Sequence, residues 1–415
     1  MKVLYVTGNC LTRNTSANIS HNAFVQGLLE NGCEVDIIMA KDSWGERDQV
    51  LPVWKDANYF VFPSISIADR FRFKMREILP NQTKSDSINT VNNIATSNKK
   101  HRNVRNGIRS IAKQVFYCLI KPDPLYPLEK HWLKKASSFS NKMPYDLVIS
   151  NSSPAASHRL VVELKNKGRI RFHRWIQVWE DPWSHDLYGS YPRTIEEEEH
   201  DLLRNASEIV YVSPLTLLYQ KEFFQDCANK MSCIPLPAFQ IGEGNNTRRS
   251  GEFSFGYFGD YYSETRNLVP FYEAIKESGY CCYIYGDSDL ALKATDRIEI
   301  SGRVTLDELQ RVQDKTSVLV HLCNLRGGQI PGKIYHYSIT EKPILFILDG
   351  TEKEQKSIKE YFEPFGRYYF CKNNPQDIRK MIDFISQDKK TFSGVDSFYP
   401  RNVARKLLQE RDVGN

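Results

Sequence analysis

Short apolar runs alternate with helical patterns along the chain, and this alternation is the feature that most limits the fold. The run KVLYVTG (2–8) is followed by a helical pattern from His21 to Asn31, a closing Gly32 and a second apolar run, EVDIIMA (34–40). Apolar runs separated by helices are typical of parallel strands joined by crossover helices. The sequence therefore predicts an α/β protein that opens with a strand–helix–strand unit.

The alternation continues in two further series. Strands are expected at 145–151, 175–179 and 208–213, and then at 253–259, 281–286, 297–302, 317–322, 343–348 and 368–371. Helices are expected near 154–167, 193–205, 267–278, 305–313, after Pro331, near 354–362 and 375–387, and at the C-terminal end. Repeated strand–helix units of this kind build doubly wound sheets.

The stretch GEGNNTRRSG (242–251) is polar, rich in glycine and asparagine, and has nothing apolar to bury. We interpret it as a linker between domains. A chain of 415 residues suits two domains of roughly 150–200 residues each. The expected domains are 1–240 and 241–395, followed by a C-terminal helix (396–415) that returns to the first domain. Two doubly wound parallel-sheet domains joined in this way face each other across a cleft.

The segment from about 66 to 130 breaks the alternation and carries the basic charge of the chain. Between residues 70 and 121 there are twelve Lys and Arg against two acidic residues, in a chain whose total charge is +6. Arg105, Arg109 and Lys113 recur at four-residue steps beside an apolar stripe. This pattern fits an ordinary helix with a solvated basic face. It fits equally well a surface that docks on anionic lipid or a lipid-linked phosphate.

The overall composition limits the class of protein. Hydrophobic residues make up 41% and charged residues 26% of the chain, as in globular proteins. No run approaches the roughly 20 apolar residues that cross a bilayer, and the apolar start is shorter than a signal-peptide core of about 7–15 residues. Nine cysteines at irregular spacing fit reduced thiols. We therefore expect a cytoplasmic protein without a nucleic-acid partner, and a peripheral position on the inner face of the membrane stays open.

The stretch QIPGKIYHYSITEKPILFIL (329–348) places a Gly-Lys pair before an expected helix. Gly332 lets a ligand approach the backbone closely, and free amides at a helix start with Lys333 beside them can hold an anion. The spaced glycines and the following Ser or Thr of a P-loop are missing. On this stretch alone, a turn followed by a surface lysine is the better explanation.

Several stretches resemble, in order and spacing, the segments of one enzyme family: KPDPLYPLEKHW, YDLVISNSSPAASH, WIQVWEDPWS, FGYFGDYYSETRNLVPFYEAI, ISGRVTLDELQRVQDKTSVLVHL, IPGKIYHYS and EKPIL. This family is the retaining GT-B-fold glycosyltransferases of family 4, of the type that acts in bacterial surface-polysaccharide biosynthesis. Many bacterial members have a Pro-Ser-Lys-Leu-Tyr-Glu-Tyr type of sequence and then Gly-Lys-Pro where this chain has the last two stretches. The resemblance covers most of the chain outside roughly residues 40–115.

The resemblance implies an enzyme that transfers a sugar from a nucleotide sugar to a glycan or lipid-linked acceptor. It also implies retention of configuration, no metal ion and no cofactor besides the donor substrate. Arg266 stands where the family has a basic residue at the donor diphosphate. With Lys333 and the amide of Gly332 it would stabilise the leaving group. The other expected donor-binding residues are Gly259, Asp260, Arg303, Val304, Gly328 and His336.

The chain departs from the family at its paired glutamates, which fall on Gly328 and His336 here. His336 would accept hydrogen bonds from the ribose hydroxyls through a ring nitrogen. Alternatively, it is a helix-surface residue between Tyr335 and Tyr337. Both interpretations stay open.

The acceptor side is expected at the carboxyl ends of the first-domain strands, at Gly8, Asn9 and Asn151. Where relatives have a histidine, this chain has Glu180 and Asp181, with His185 four residues on. The two carboxylates would orient an acceptor hydroxyl or stabilise an oxocarbenium-like sugar. Alternatively, Asp181 caps a helix. The Asp-x-Asp motif at 287–289 lies in a polar loop, and we expect no metal there.

Other functions remain compatible with the same architecture. A nucleotide-sugar epimerase also splits the bond to the diphosphate, and the missing glutamates weakly favour a non-catalytic module that binds nucleotides or glycans. A dinucleotide oxidoreductase is disfavoured, because VTGNCLTRN after the first strand lacks the spaced glycines of that fingerprint.

Overall fold

A computed structural model of the chain contains two parallel β-sheets. The structure describes residues 1–41, 48–64, 125–152, 154–186, 191–239 and 252–410. The expected basic helix with Arg105, Arg109 and Lys113 and the expected linker at 242–251 therefore lie outside the described residues.

Seven strands form the first sheet: β1 (Lys2–Thr7), β2 (Glu34–Lys41), β3 (Ala57–Pro63), β4 (Tyr145–Ser152), β5 (Phe172–Trp179), β6 (Glu208–Tyr211) and β7 (Met231–Cys233). All neighbouring strands are parallel, in the order β3-β2-β1-β4-β5-β6-β7. The order reverses between β1 and β4, so the ligand-binding crevice of this sheet is expected at their carboxyl ends. β3 and β7 were not predicted, and both lie toward the edges, where apolar runs are short.

The described part of the first half contains the helices α1 (Ser16–Glu30), α2 (Lys130–Ala136), α3 (Ala156–Asn166), α4 (Arg193–Asn205) and α5 (Pro214–Phe223). The first helix begins earlier than the expected His21, because the Thr15 side chain accepts a hydrogen bond from the Asn18 amide and caps it there. α2 and α5 were not predicted. The start of α5 is nevertheless marked in the sequence, since Ser213 caps it and Pro214 follows at the first turn.

Six strands form the second sheet: β8 (Ser254–Phe258), β9 (Cys281–Tyr285), β10 (Ile298–Ser301), β11 (Val318–Leu322), β12 (Ile344–Leu348) and β13 (Tyr368–Lys372). They too are parallel, in the order β10-β9-β8-β11-β12-β13. All six were predicted to within about two residues at each end. The order reverses between β8 and β11, which places the second crevice there.

The second half also contains α6 (Val269–Ser278), α7 (Leu306–Lys315), α8 (Lys333–Ser338), α9 (Glu352–Phe362), α10 (Pro375–Gln387) and α11 (Pro400–Leu408). α8 begins at Lys333 and has only six residues. Its dipole is therefore short, and side chains must supply most of any positive charge at its start. Over the described ranges, no helix combines the length and the apolar composition that crossing a bilayer requires.

The two halves share part of their core. One continuous apolar cluster includes Ile234 and Leu236 from the first half and Ile334 and Tyr335 from the second. The Tyr335 hydroxyl also donates a hydrogen bond to the Val212 carbonyl at 3.1 Å. Apolar and polar contacts thus fix the two sheets against each other.

The last helix lies on the first domain. A Cβ built on Gly27 in α1 would meet the Pro400 carbonyl at 2.1 Å, so only glycine allows α11 to approach this closely. The Asn31 side chain donates to the Arg401 carbonyl at 2.8 Å, and the Ala238 amide donates to the Phe398 carbonyl at 2.8 Å.

Candidate functional site

A cavity of about 330 Å³ lies between the two sheets. The first domain contributes Ser16, Glu180, Asp181, Val212 and Leu236. The second domain contributes Tyr257, Phe258, Gly259, Asp260, Arg266, Val320, His321, Leu322, Asn324, Gln329, Ile330, Pro331, Gly332, Lys333 and Tyr337. These residues belong mainly to the carboxyl ends of β5, β6, β8 and β11, where doubly wound sheets bind ligands. The cavity brings together seven of the predicted site residues: Glu180, Asp181, Gly259, Asp260, Arg266, Gly332 and Lys333.

Lys333 is half-buried at the start of α8. Its pKa is lowered to about 8, mainly by burial; the Asp260 carboxylate opposes this shift, and the positive charges of Arg266 and Arg303 add to it. The side chain therefore keeps most of its charge at neutral pH. A Cβ on the preceding Gly332 would lie 3.3 Å from Leu236 Cδ1, so this turn touches the first domain.

Arg266 is the second cation of the cavity and is held by the loop after β8. Its amide donates to the Tyr262 carbonyl at 2.9 Å, which fixes the backbone before α6. Burial raises the pKa of the Tyr257 hydroxyl to about 12, and Arg266 opposes that rise by its charge and a hydrogen bond. The guanidinium is thus anchored on Tyr257 while its Nε is buried without a partner among the described residues.

Asp260 connects the cavity to Arg303. Arg303 Nε donates to Asp260 Oδ1 at 3.1 Å, its terminal nitrogen contacts the second carboxylate oxygen, and the Asp287 amide donates to Oδ1 at 3.0 Å. Burial would raise the pKa of Asp260, but the bonds from Arg303 and the amide outweigh it and hold the pKa below its usual value. Arg303 therefore lies behind Asp260 rather than in the cavity wall. Val304 packs beside the apolar cluster and does not line the cavity.

Glu180 and Asp181 form an acidic wall opposite these cations. Burial, followed by the charge of Asp181, raises the pKa of Glu180 well above its usual value. Loss of hydration beside the surrounding protein and the charge of Asp186 raise the pKa of Asp181 to about 6, although the residue keeps an exposed surface. Asp181 is therefore mostly ionised at pH 7, whereas the raised pKa of Glu180 favours its protonated form. Residues from Asp181 to Asp186 form bends and turns and no helix begins there, so the alternative that Asp181 caps a helix is wrong.

The loop that carries these carboxylates is held by Glu199 in α4, a residue to which the sequence assigned no role. Its side chain is fully buried and accepts hydrogen bonds from the Ser184 amide at 2.7 Å, the Ser184 hydroxyl at 2.5 Å and the Trp183 amide at 3.4 Å. The sequence does indicate that Glu199 is buried. Ile195, Glu199 and Leu202 recur at helical spacing, which places Glu199 on the same face of α4 as the two apolar residues.

The four predicted cleft residues of the first domain lie outside the cavity wall. Gly8 packs on Pro154, where a Cβ would come within 2.7 Å of Cγ. Asn9 Nδ2 lies 3.2 Å from His21 Nε2, and Asn151 Nδ2 donates to the Tyr5 hydroxyl at 3.0 Å. His185 stacks on Phe223 with ring centroids 3.7 Å apart.

Gly328 and His336, at the positions of the family's glutamates, connect the two domains instead of lining the cavity. The Gly328 carbonyl accepts a hydrogen bond from Ser213, and its φ of +64° together with the nearby Leu215 side chain requires glycine. His336 Nδ1 accepts the Phe239 amide at 2.7 Å. Burial and the charge of Lys333 lower the pKa of His336 to about 4, so the ring is neutral and Nε2 carries the hydrogen. The expected acceptor role of His336 toward ribose does not fit this arrangement.

Four polar atoms in the cavity wall are buried without a hydrogen-bond partner in the described parts of the chain: Glu180 Oε1, Arg266 Nε, His321 Nε2 and Asn324 Oδ1. A buried polar group left unpaired costs about 1–3 kcal/mol. Four such atoms in one wall indicate a surface that hydrogen-bonds a polar ligand. His321 was not predicted, although a histidine inside the apolar run SVLVHL is a visible signal.

Among the described residues, neither the Asp-x-Asp motif nor the one cluster of three potential metal ligands lines this cavity. Asp287 pairs with Arg303 at 3.1 Å, and Asp289 accepts from the Ser263 amide at 2.8 Å. Elsewhere in the described residues, the ligand atoms of His200, Asp226 and Cys227 lie within 4.8 Å of one another. In that cluster the Asp226 carboxylate is bound by His200 at 2.8 Å and by Arg204 Nε at 3.0 Å, so its negative charge is already compensated.

Comparisons with known proteins define the fold. No protein-family model matches the sequence, and no curated protein matches it. Solved structures do match. A glycosyltransferase from Rickettsia africae ESF-5 superposes with a TM-score of 0.51 at 13% identity, covering 98% of this chain and 96% of that one.

Two further structures are similar over the same extent. Anabaena Alr3699/HepE in complex with UDP has a TM-score of 0.53 at 11% identity, with 98% of this chain and 94% of that chain covered. A UDP-N-acetylglucosamine 2-epimerase has a TM-score of 0.54 at 10% identity, with the same coverage. These likenesses establish the fold: two parallel-sheet α/β domains in the GT-B arrangement.

Proposed function

We propose that this GT-B chain uses a nucleotide sugar and transfers the sugar to a glycan or lipid-linked acceptor. The observation that carries the proposal is the interdomain cavity with Arg266 and Lys333 on one wall and Glu180 and Asp181 on the other. The UDP complex of the HepE structure and the glycosyltransferase among the structural neighbours support a nucleoside diphosphate in this cavity.

The cationic wall suits the leaving group. When the bond between sugar and diphosphate breaks, negative charge develops on the diphosphate oxygens. Two fixed positive charges in a cleft with little water stabilise that charge without a reorganisation cost. We therefore propose a transfer without metal ion or cofactor and with retention of configuration, as the sequence resemblance implies.

The acidic wall suits the acceptor. Asp181 is mostly ionised at pH 7 and would accept a hydrogen bond from the attacking hydroxyl, which orients it and increases its nucleophilicity. In its protonated form, which the raised pKa favours, Glu180 would donate to an oxygen of the sugar or the acceptor. Both side chains lie after β5, so one loop positions them together.

A donor screen tests the proposal. Thermal unfolding is followed with UDP-, GDP-, TDP- and CMP-sugars, and slow hydrolysis of the best donor is measured. We expect one nucleotide class to raise the unfolding temperature and Lys333→Ala and Arg266→Ala to abolish hydrolysis. Lys276→Ala and Arg311→Ala change exposed side chains of α6 and α7 and serve as matched controls. If no nucleotide shifts the unfolding temperature, the proposal is wrong. Binding without hydrolysis or transfer would instead identify a non-catalytic module.

A nucleotide-sugar epimerase is the second candidate. The similarity to a UDP-N-acetylglucosamine 2-epimerase supports it, as do the raised pKa values of Glu180 and Asp181, which suit groups that exchange protons near neutral pH. The two reactions differ in what they release. An epimerised sugar formed without acceptor identifies the epimerase, and a glycosylated acceptor identifies the transferase.

We also propose a cytoplasmic enzyme of surface-polysaccharide biosynthesis that reaches its acceptor at an anionic membrane through the basic segment with Arg105, Arg109 and Lys113. Each basic residue near such a surface contributes about 1 kcal/mol. Flotation with anionic liposomes tests this. We expect charge reversal at the three positions to weaken flotation, and unchanged flotation would reject the membrane contact.

A further inference from the structure

His321 is a histidine placed inside a buried strand of the second sheet. It belongs to β11, is 3% exposed, and its ring lies against Phe346 with centroids 4.5 Å apart. Its Nε2 is buried and finds no partner in the described chain, and the residue lines the interdomain cavity. A phenylalanine or leucine would fill this position without an unpaired nitrogen, so packing alone does not explain the histidine.

Arg266 is the charged neighbour of this ring. Burial lowers the pKa of His321 to about 3, and the positive charge of Arg266 contributes in the same direction. The imidazole is therefore neutral and carries one hydrogen. Arg266 Nε in the same wall is also unpartnered among the residues described. Both nitrogens thus belong to residues that line the same cavity and lack a hydrogen-bond acceptor in the part of the chain that the structure describes.

We propose that His321 is a ligand-contacting residue whose Nε2–H donates a hydrogen bond to a phosphate oxygen of the nucleoside diphosphate. This inference rests on the proposed function, because it takes a nucleoside diphosphate as the ligand of the cavity. A phosphate oxygen only accepts hydrogen bonds, which requires the hydrogen on Nε2 in the complex. The histidine adds a directed bond without adding a third positive charge beside Arg266 and Lys333.

Binding measurements on two matched variants test the contact. His321→Phe keeps an aromatic ring, although a larger one, and removes both nitrogens. His158→Phe makes the same change at another fully buried histidine, which also has an unpaired Nε2 and a pKa of about 3 but lies outside the cavity wall. Calorimetric titration uses UDP, or whichever of GDP, TDP and CMP the donor screen selects, together with the nucleoside of the same base.

We expect His321→Phe to weaken binding of the phosphorylated nucleotide by roughly tenfold or more, as for a lost bond to a charged group. The nucleoside should bind equally well to all three proteins, and His158→Phe should leave both affinities unchanged. Unaltered nucleotide affinity in His321→Phe rejects the contact while the proposed function stands. An equal loss in His158→Phe, or an equal loss for the nucleoside, also rejects it. If the unaltered chain binds no nucleotide, both proposals fall.

A second measurement reports on His321 in the unaltered protein. Among the nine histidines of the chain, the ¹⁵N signals of His321 are identified by their loss in His321→Phe, or in His321→Gln if the phenylalanine variant does not fold. We expect the nucleotide, but not the nucleoside, to shift the Nε2 signal and to leave it protonated. An unshifted signal, or a hydrogen found on Nδ1 in the complex, overturns the proposal.

Discussion

Lys333 has three charged neighbours, and its protonation sets how strongly the cavity attracts an anion. Burial lowers its pKa to about 8, Arg266 and Arg303 act in the same direction, and Asp260 opposes them. A bound diphosphate favours the protonated lysine and raises this pKa, so the complex holds more protons than the free protein. Affinity for a nucleoside diphosphate should therefore fall as the pH rises above about 8, by up to about tenfold per pH unit. Calorimetry between pH 7 and pH 9.5 measures the slope. In Lys333→Arg the side chain stays charged over this whole pH range, so the affinity should change less with pH. An equally steep slope in that variant would show that Lys333 is not the group that causes the pH dependence.

Glu199 has a positioning role, because its carboxylate holds the amides and hydroxyl of the loop after Asp181. Glu199→Ala leaves the Ser184 and Trp183 amides without their acceptor and should lower the free energy of unfolding by about 1–3 kcal/mol. Glu197→Ala, two positions earlier on the exposed face, removes only a surface pair with Arg193 and should cost no more than about 0.5 kcal/mol. Urea unfolding compares the two variants, and equal costs would show that the burial of Glu199 is not what stabilises the loop. Sugar transfer should slow in Glu199→Ala while nucleotide affinity is kept.

Among the elements, the strands of the second sheet were the most predictable. β8, β11 and β12 are fully buried, so each appears in the sequence as a mainly apolar run, interrupted only by Ser254 and Gly256 in β8 and by His321 in β11. β3 also contains an apolar run, YFVF, but it is only half-buried at the edge of its sheet and was not predicted. The position of each crevice could also be predicted, since strand ends define it. The roles of Gly328 and His336 could not be predicted from the sequence. Gly328 contacts Ser213 and His336 contacts Phe239, and both partners lie in the first domain, far away in the sequence.

The loop before α8 gives a prediction with an internal control. Gly328 and Gly366 have nearly the same backbone, with φ of +64° and +67°. A Cβ at Gly328 would lie 2.6 Å from Leu215 Cδ2, whereas nothing lies within 4 Å of a Cβ at Gly366. Gly366→Ala should therefore lower the free energy of unfolding by about 1–2 kcal/mol, the cost of holding an alanine in the left-handed conformation. Gly328→Ala should cost clearly more, because α5 must also move. Unfolding midpoints in urea measure both, and equal losses would show that the contact between loop and α5 is loose.

At the scale of the whole molecule, the shared core predicts that the two domains unfold together. All six tryptophans lie within the first 183 residues, at positions 44, 54, 132, 175, 179 and 183, so tryptophan fluorescence reports on the first half of the chain. Far-UV circular dichroism reports on both domains. Because one apolar cluster spans the two halves, the fluorescence and dichroism midpoints should coincide in urea. A fluorescence midpoint separated from the dichroism midpoint would show that the domains unfold independently. A nucleotide that bridges the cavity should move both midpoints equally.

The return of α11 to the first domain affects how the chain can be divided. Gly27 in α1 accommodates the Pro400 carbonyl, and Ala404 packs at the same place. A fragment ending near residue 239 would leave this face of α1 uncovered, and a fragment starting near residue 252 would carry α11 with nothing to pack on. Neither half is a natural unit for separate expression. An exchange of the second domain between chains of this fold should therefore cross over twice, once between residues 239 and 252 and once before Asp396, so that each α1 keeps its own terminal helix.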